Sequence, residues 1–260
     1  MRFYYFLILF LTIGLAQGET TQFSSSFNTS LNSDFKQSSD VTKGLSSSSG
    51  LYVTAEIPKL FTVSSGLSFE KDFLGEKNAL LEDTQISFSR KIKDFNENLS
   101  LSGSASIFVP LSENSQEVTY LNTGYRLGVI LKTLLPQIPD LVSTWGLNFV
   151  QNFHNYEVSE YGESNKQFLV SITNRATYSF LKQFYVSMSI AYTKGFTYHG
   201  FIIDTVSGGQ EVGYNASEKL NFAIGHSLGG NIFKPNGQDY YLSFFDANRS
   251  KFYLEMNLGF

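Results

Sequence analysis

The sequence of 260 residues contains no cysteine, only five prolines and a single tryptophan. Without cysteine the chain can form neither a disulfide nor a thiolate metal site. Only 16% of the residues are charged, whereas soluble domains carry about 25%. The net charge of −4 argues against a general nucleic-acid-binding protein, which would be basic.

Long apolar runs are also missing from most of the chain. After residue 18 no apolar segment approaches the ~20 residues that a membrane-spanning helix needs. The N-terminus has the positive charge, short apolar run and small residues of a signal peptide: Arg2, residues 3–15, and Ala16 to Gly18. We therefore expect a signal peptide over residues 1–18, cleaved after Gly18, and one domain over residues 19–260.

The abundant residues are aromatic or small, with twenty-five Phe, fifteen Tyr and twenty-one Gly. Apolar and small polar residues alternate through most of the chain. The clearest case is residues 99–109, where Leu99, Leu101 and Ile107 alternate with serines. Successive side chains of a β-strand point to opposite faces, so this pattern predicts strands with one apolar and one small polar face.

Twelve segments carry this pattern, and the connections between them alternate between short and long. We place the strands at 22–33, 51–57, 61–69, 84–92, 99–109, 121–131, 141–153, 168–178, 184–193, 212–216, 220–228 and 252–260. Short turns are expected near Pro58, Asn96, Gln137, Lys182 and Glu218, and long loops near Ser46, Gly75, Tyr161, Val206 and Pro235. Among the long loops, we expect a polar, serine-rich loop at 36–49 and a further loop at 195–209. Residues 240–245, in the last loop, are a candidate for a small β-ribbon.

Two classes of connection are typical of outer-membrane barrels, which have short periplasmic turns and long outer loops. Both termini then lie on one side, which requires an even number of strands. Twelve fits, with ten or fourteen as alternatives. A soluble β-sandwich also alternates and is the rival fold.

The last predicted strand presents Phe252, Leu254, Met256, Leu258 and Phe260 on one face. It resembles the terminal strand of bacterial outer-membrane β-barrels, whose C-terminal aromatic residue is read by the insertion machinery. The resemblance, which is to small twelve-stranded porin-like barrels, implies an all-β, transmembrane, antiparallel up-and-down barrel. It further implies a bacterial outer-membrane location, periplasmic termini and extracellular long loops. The partners that it implies are outer-membrane lipid and lipopolysaccharide, the barrel-assembly machinery and periplasmic chaperones.

One short motif resembles a catalytic one. Residues 225–229 match the G-x-S-x-G nucleophile elbow of lipases and esterases, with Ser227 at the nucleophile position. In those enzymes the acid and the histidine follow the serine in the chain. All three histidines of this sequence precede Ser227. The motif therefore indicates a strand that runs into a glycine-rich loop.

Other catalytic and metal patterns fail in the same way. The outer-membrane phospholipase, itself a twelve-stranded barrel, uses a histidine and a serine two residues apart on a strand. Here His154, His199 and His226 are followed two residues later by Tyr156, Phe201 and Leu228. Three isolated histidines give no metal-ligand spacing. We therefore expect no catalytic, cofactor-binding or metal-binding residue.

The polar faces would line the interior of the barrel. Small residues do not fill a twelve-stranded barrel, which favours a water-filled passage. The charged candidates on that face are Arg126, Arg175, Glu56, Glu70, Glu211 and Glu255. We expect a passive channel for small hydrophilic solutes. The alternatives are a non-conducting structural or surface-interaction barrel that acts through its extracellular loops and, least favoured, a barrel hydrolase.

Overall fold

The structure, a computed structural model, describes residues 21–34, 44–58, 60–74, 79–231, 245–246 and 249–260. The predicted signal peptide lies outside this part of the chain, as does most of the predicted ribbon at 240–245. The strands that form the wall within the described residues are β1 (Gln22–Asp34), β2 (Leu45–Ile57), β3 (Phe61–Asp72), β4 (Thr84–Asn96), β5 (Leu99–Val109), β6 (Leu121–Leu134), β7 (Leu141–His154), β8 (Lys166–Phe180), β9 (Phe184–Thr197), β10 (Ile202–Asn215), β11 (Leu220–Asn231) and β12 (Ser250–Gly259).

These twelve strands form one closed antiparallel barrel. Each strand pairs with its neighbours in sequence, and β12 pairs with β1, with Gly259 opposite Ser26 and Lys251 opposite Asp34. Closure pairs the backbone groups of both terminal strands, as a wall in lipid requires. The predicted all-β, antiparallel, up-and-down barrel of twelve strands is confirmed.

Two small elements lie outside the wall strands. A two-residue strand, Leu80–Leu81, pairs with the end of β3. A one-turn π-helix, Asn114–Val118, lies between β5 and β6. No helix among the described residues has the length and hydropathy to cross a bilayer.

Successive connections lie at alternate ends of the barrel, as predicted, but two of the predicted loops differ from the structure. Strands β2, β4, β6, β8 and β10 end at one end of the barrel, where short turns lead to the next strand. Strands β1, β3, β5, β7, β9 and β11 end at the other. The long loop predicted at 195–209 is wrong, because β9 continues to Thr197 and β10 starts at Ile202. Gly208 and Gly209 are weak strand formers, so this stretch lacks the apolar alternation of a strand.

The loop predicted at 36–49 also extends too far. Strand β2 begins at Leu45, so Ser46 and Ser49 are strand residues. On the outer face the Ser49 hydroxyl lies 2.9 Å from the Thr29 hydroxyl of β1. Each hydroxyl meets the other's hydrogen-bonding need, so a serine-rich segment can form wall.

The apolar residues of the strands face outward. Leu127, Leu147 and Ile190 are 52%, 53% and 58% exposed. Only four apolar residues among those described are buried: Ile57, Val63, Ile86 and Ala223. The apolar side chains therefore coat the outside of the barrel, as expected of a wall that contacts lipid.

Two groups of aromatic rings border this apolar surface. Near the short turns, the first girdle consists of Tyr178, Phe180, Phe184 and Tyr214, with successive ring centroids 4.9–6.3 Å apart. Near the other end, the second girdle consists of Tyr125, Phe149, Phe153, Phe168 and Phe196, including a stacked pair, Phe168 and Phe196, at 4.4 Å. Along β9 the girdles are twelve residues apart, from Phe184 to Phe196. A tilted strand of that length rises about 30 Å, the thickness of a bilayer hydrocarbon core.

Candidate functional site

The inner face of the barrel is the candidate site, and small polar side chains dominate it. The serines of β5 and the residues Ser187, Ser189, Ser207 and Ser227 all point inward, since they alternate with the outward apolar residues. Hydroxyl groups can exchange hydrogen bonds with water or a polar solute. The face can therefore contact a hydrated interior.

Three tyrosines interrupt this lining, and each lies flat over a glycine. Tyr185 is opposite Gly213 on β10, and Tyr253 is opposite Gly225 on β11. A Cβ atom at either glycine would overlap the tyrosine ring. Tyr52 lies in the same way over Gly66 on β3. The glycines let the three rings lie against the wall.

Arg175 and Glu211, both predicted lumen residues, form an ion pair. Arg175 Nη2 lies 2.9 Å from Glu211 Oε1 and also donates to the Ser187 hydroxyl at 3.1 Å. The Tyr253 hydroxyl donates to Glu211 Oε2 at 2.7 Å. Two residues that were predicted as separate lumen candidates are therefore in contact. The group of contacting side chains comes from β8, β9, β10 and β12.

Arg126 has a different environment. Its guanidinium lies 5.1 Å from the centroid of the Phe108 ring, in a cation–π contact. Among the described residues no carboxylate lies within ion-pair distance of Arg126. Arg126 is therefore the predicted lumen cation whose charge is not balanced by a described neighbour.

The other acidic candidates are not paired with cations in the described part of the chain. Glu255 accepts a hydrogen bond from Asn257 at 2.7 Å on the same face of β12. Glu56 lies near the turn that follows β2, and Glu70 lies near the opposite end of β3. These three carboxylates therefore stand at separate places and form no single cluster.

A recess of about 600 Å³ opens beside Arg175 in the wall formed by β7 to β12. Hydroxyl side chains, a lysine and a tyrosine line it on the inner face: Thr144, Thr173, Ser189, Ser207, Ser227, Lys251 and Tyr253. Gly209, which has no side chain, is also among the residues that line it. The recess offers hydrogen-bonding groups to a polar solute.

The strand that contains residues 225–229 cannot act as a nucleophile elbow. Ser227 faces the lumen, whereas His226 is on the outer face, opposite Phe252 of β12. Neighbouring strand residues point to opposite faces, so the imidazole cannot take a proton from this hydroxyl. Gly225 has a different role, since it makes room for the Tyr253 ring.

The other histidines lie at the end opposite the short turns. His154 Nδ1 lies 3.4 Å from the Tyr198 hydroxyl, and His199 Nε2 lies 3.7 Å from Glu157. Within the described residues no three His, Asp or Glu side chains come together as a metal site would require.

Four of the predicted insertion residues belong to β12, and the fifth, Phe260, follows its last residue, Gly259. Phe252, Leu254, Met256 and Leu258 alternate outward, and Phe260 is 61% exposed. The Phe260 amide donates to the Ser25 carbonyl at 2.8 Å, so pairing with β1 continues past Gly259. Their part in insertion stays a prediction.

The sequence did not single out two of the inner-face tyrosines, Tyr185 and Tyr253. Tyr185 is the single large residue on the inner face of β9, and Tyr253 is the one aromatic residue on the inner face of β12. Each has a glycine opposite it on the neighbouring strand. That contrast in size was visible in the sequence, but the pairing of tyrosine with glycine needs the strand register. The Ser187 contact to Arg175 depends on the same register.

No protein family model and no curated protein sequence matches this chain. Solved structures that share its fold include the NanC porin, with a TM-score of 0.58, 12% identity and coverage of 91% of this chain and 98% of the porin. An outer membrane channel from Pseudomonas putida F1 has a TM-score of 0.58, 10% identity and coverage of 93% and 96%. The KdgM porin has a TM-score of 0.54, 12% identity and coverage of 90% and 99%, and has also been solved in complex with disordered oligogalacturonate. The chain therefore has the fold of outer-membrane porin-like barrels.

Proposed function

We propose that this protein is a passive outer-membrane channel for small hydrophilic solutes. The observation that carries the proposal is the contrast between the two faces of a closed wall. Outward residues such as Ile190 are apolar and exposed, whereas the inner face of the same strands carries serine, threonine and glycine. A closed barrel whose inner face is small and polar can hold water along its axis.

Three charged groups would influence which solutes cross. Arg126 presents an unbalanced positive charge, whereas Arg175 and Glu211 form an ion pair. Charges that line a narrow aqueous passage bias the permeant ions. We expect Glu56, Glu70 and Glu255 to have smaller individual effects, because they stand apart from one another.

The orientation follows from the two kinds of connection. The end of the barrel that carries the short turns also contains the start of β1 and the end of β12. Short turns are periplasmic in outer-membrane barrels. We therefore propose periplasmic termini and extracellular connections at 73–83, 110–120 and 155–165. We expect lipopolysaccharide to lie against the second girdle, and assembly to proceed through periplasmic chaperones and the barrel-assembly machinery.

Solute entry into proteoliposomes tests the proposal. Purified, folded protein is reconstituted into liposomes, and swelling is followed in isotonic solutions of uncharged sugars of increasing size. The expected result is rapid swelling with small sugars that slows as the sugar grows. Liposomes with folded barrel that swell no faster than empty liposomes would contradict the proposal. Heat-modifiable mobility on gels provides the check on folding.

A second candidate function is supported by a different observation: hydrogen bonds hold two of the proposed extracellular connections together. The buried Asn165 side chain donates to the carbonyls of Thr119 and Tyr156 at 2.8 and 2.9 Å, and so ties 110–120 to 155–165. Beside this tie, Tyr161 and Phe201 are 77% and 65% exposed. A fixed surface with exposed aromatic rings is suited to contact with an outside partner. Barrels that do not conduct but bind cell-surface material through this surface would favour this function over the channel.

A further inference from the structure

We infer, resting on the proposed channel function, that Glu211 masks the charge of Arg175 and thereby sets the ion preference of this part of the lumen. Tyr253 acts as a positioning residue that holds the Glu211 carboxylate in place. Arg175 alone would attract anions, and Glu211 alone would attract cations. Held together, they present a dipole with little net charge.

The strand register builds this arrangement. Ser187, Glu211, Gly225 and Tyr253 are direct partners across β9, β10, β11 and β12, and so form one row around the inner wall. Gly225 has no side chain, so the Tyr253 ring crosses β11 and its hydroxyl reaches Glu211 at 2.7 Å. The carboxylate therefore receives Tyr253 on one oxygen and Arg175 on the other.

The exposed fractions of the two side chains show which of the two charged groups faces the lumen. The Glu211 side chain is 11% exposed, whereas the Arg175 side chain is 54% exposed. The carboxylate is thus held in the wall, and the guanidinium lies on its lumen side. The same Nη2 atom of Arg175 also donates to the Ser187 hydroxyl at 3.1 Å, which holds this corner of the guanidinium against β9.

Loss of the carboxylate would change the charge beside the recess. Arg175 and Lys251 both line that recess, and no described carboxylate forms an ion pair with Lys251. Opposite charges about 3 Å apart largely cancel at distances near the Debye length of about 8–10 Å. Without Glu211, both cations would act on a passing ion together.

The direct test is the chemical reactivity of Arg175. Folded protein is treated with p-hydroxyphenylglyoxal, which modifies accessible guanidinium groups, and the rate at each arginine is read by mass spectrometry. In Glu211→Gln the rate at Arg175 should rise severalfold, while the rate at Arg126 stays at its wild-type value. Wild-type Arg175 that already reacts as fast as in Glu211→Gln would overturn the inference.

Two further variants keep the test independent of folding defects. Tyr253→Phe retains every charge and removes one hydrogen bond to Glu211, so it should raise the Arg175 rate by a smaller factor. Glu255→Gln removes a lumen carboxylate that bonds to Asn257, and it should leave the Arg175 rate unchanged. If Glu211→Gln fails to fold, an unchanged Arg175 rate in Tyr253→Phe overturns the inference.

Ion selectivity separates this inference from the channel proposal. Reversal potentials across a KCl gradient should show that Glu211→Gln shifts permeability toward chloride. Conducting protein with unchanged selectivity in Glu211→Gln would contradict masking. Folded protein that never conducts would contradict the channel, whereas the reactivity of Arg175 would still report on the ion pair.

Discussion

The two faces of strand β9 differ in how their side chains are held. On the outer face Val186, Met188 and Ile190 are 42%, 52% and 58% exposed. On the inner face Ser187 is 4% exposed and accepts a hydrogen bond from Arg175. The outer face thus needs only apolar character, whereas the inner face depends on particular contacts between strands. Composition specifies the first face, and register specifies the second.

The largest difference in stability is expected when an arginine is placed on the outer face of β9 and, separately, on its inner face. Ile190 is midway between Phe184 and Phe196 of the two girdles, and its neighbour Ala191 faces the recess. Ile190→Arg should lower the free energy of unfolding by about 2–4 kcal/mol, the cost of a cation near mid-bilayer. Ala191→Arg should cost much less, because its guanidinium enters water. Urea unfolding in lipid vesicles measures both, and equal costs would show that the assignment of faces is wrong.

Two glycines on the inner face of β11 test whether contacts between strands on that face contribute to stability. A Cβ atom at Gly225 would overlap the Tyr253 ring, whereas at Gly229 its nearest neighbour is the Ser207 Cβ at 3.6 Å. Gly225→Val should therefore displace Tyr253 and cost about 1–3 kcal/mol of stability. Gly229→Val should cost less than half as much. Similar unfolding midpoints for the two variants would mean that Tyr253 does not rest on Gly225.

Asp83 lies just before β4, outside the strands of the wall, and its carboxylate is also held by particular hydrogen bonds. Burial alone would raise the pKa of Asp83, but hydrogen bonds from Ser115, Ser112 and Leu111 outweigh it and lower the pKa. The stabilisation is fully present above the unfolded pKa of about 3.9 and is lost as pH falls through the lower folded pKa. Asp83→Asn should cost about 1 kcal/mol at neutral pH, the scale of a partly solvated hydrogen bond to a charge.

The pH dependence provides the check on Asp83. The difference in free energy of unfolding between wild type and Asp83→Asn should shrink as pH is lowered from 6 toward 3. Ala191→Arg is the matched control, since its small cost should not change over this range. A difference at Asp83 that stays constant down to pH 3 would contradict the assigned role of its carboxylate.

Much of the wall could be predicted because lipid imposes a regular pattern. Leu99 to Ile107 alternates regularly, and the structure forms β5 over Leu99–Val109. The twelve strands and the directions of their faces follow from the same alternation. The prediction failed at Ser46 and Val206, where serine and glycine replace the apolar residues that mark a strand. Hydrogen bonds between neighbouring strands maintain the wall there without the apolar signal.

The candidate site could be predicted only in part. Alternation placed Arg126, Arg175 and Glu211 on the inner face, but it could not show which of them meet. Arg175 and Glu211 belong to β8 and β10, so their contact depends on the register of two ladders that both involve β9. The role of Tyr253 depends in addition on closure of the barrel through β11 and β12.

Single-channel recording of the refolded protein in a planar bilayer is the most direct test of a water-filled passage through the barrel. We expect discrete, stable openings at neutral pH and high salt, because a closed barrel with a small polar inner face can hold water along its axis. Substitution of Arg126 by Gln should then shift the openings toward cations, since its charge has no described carboxylate partner. A correctly folded barrel that stays silent would contradict the water-filled passage and would place the function at the extracellular connections.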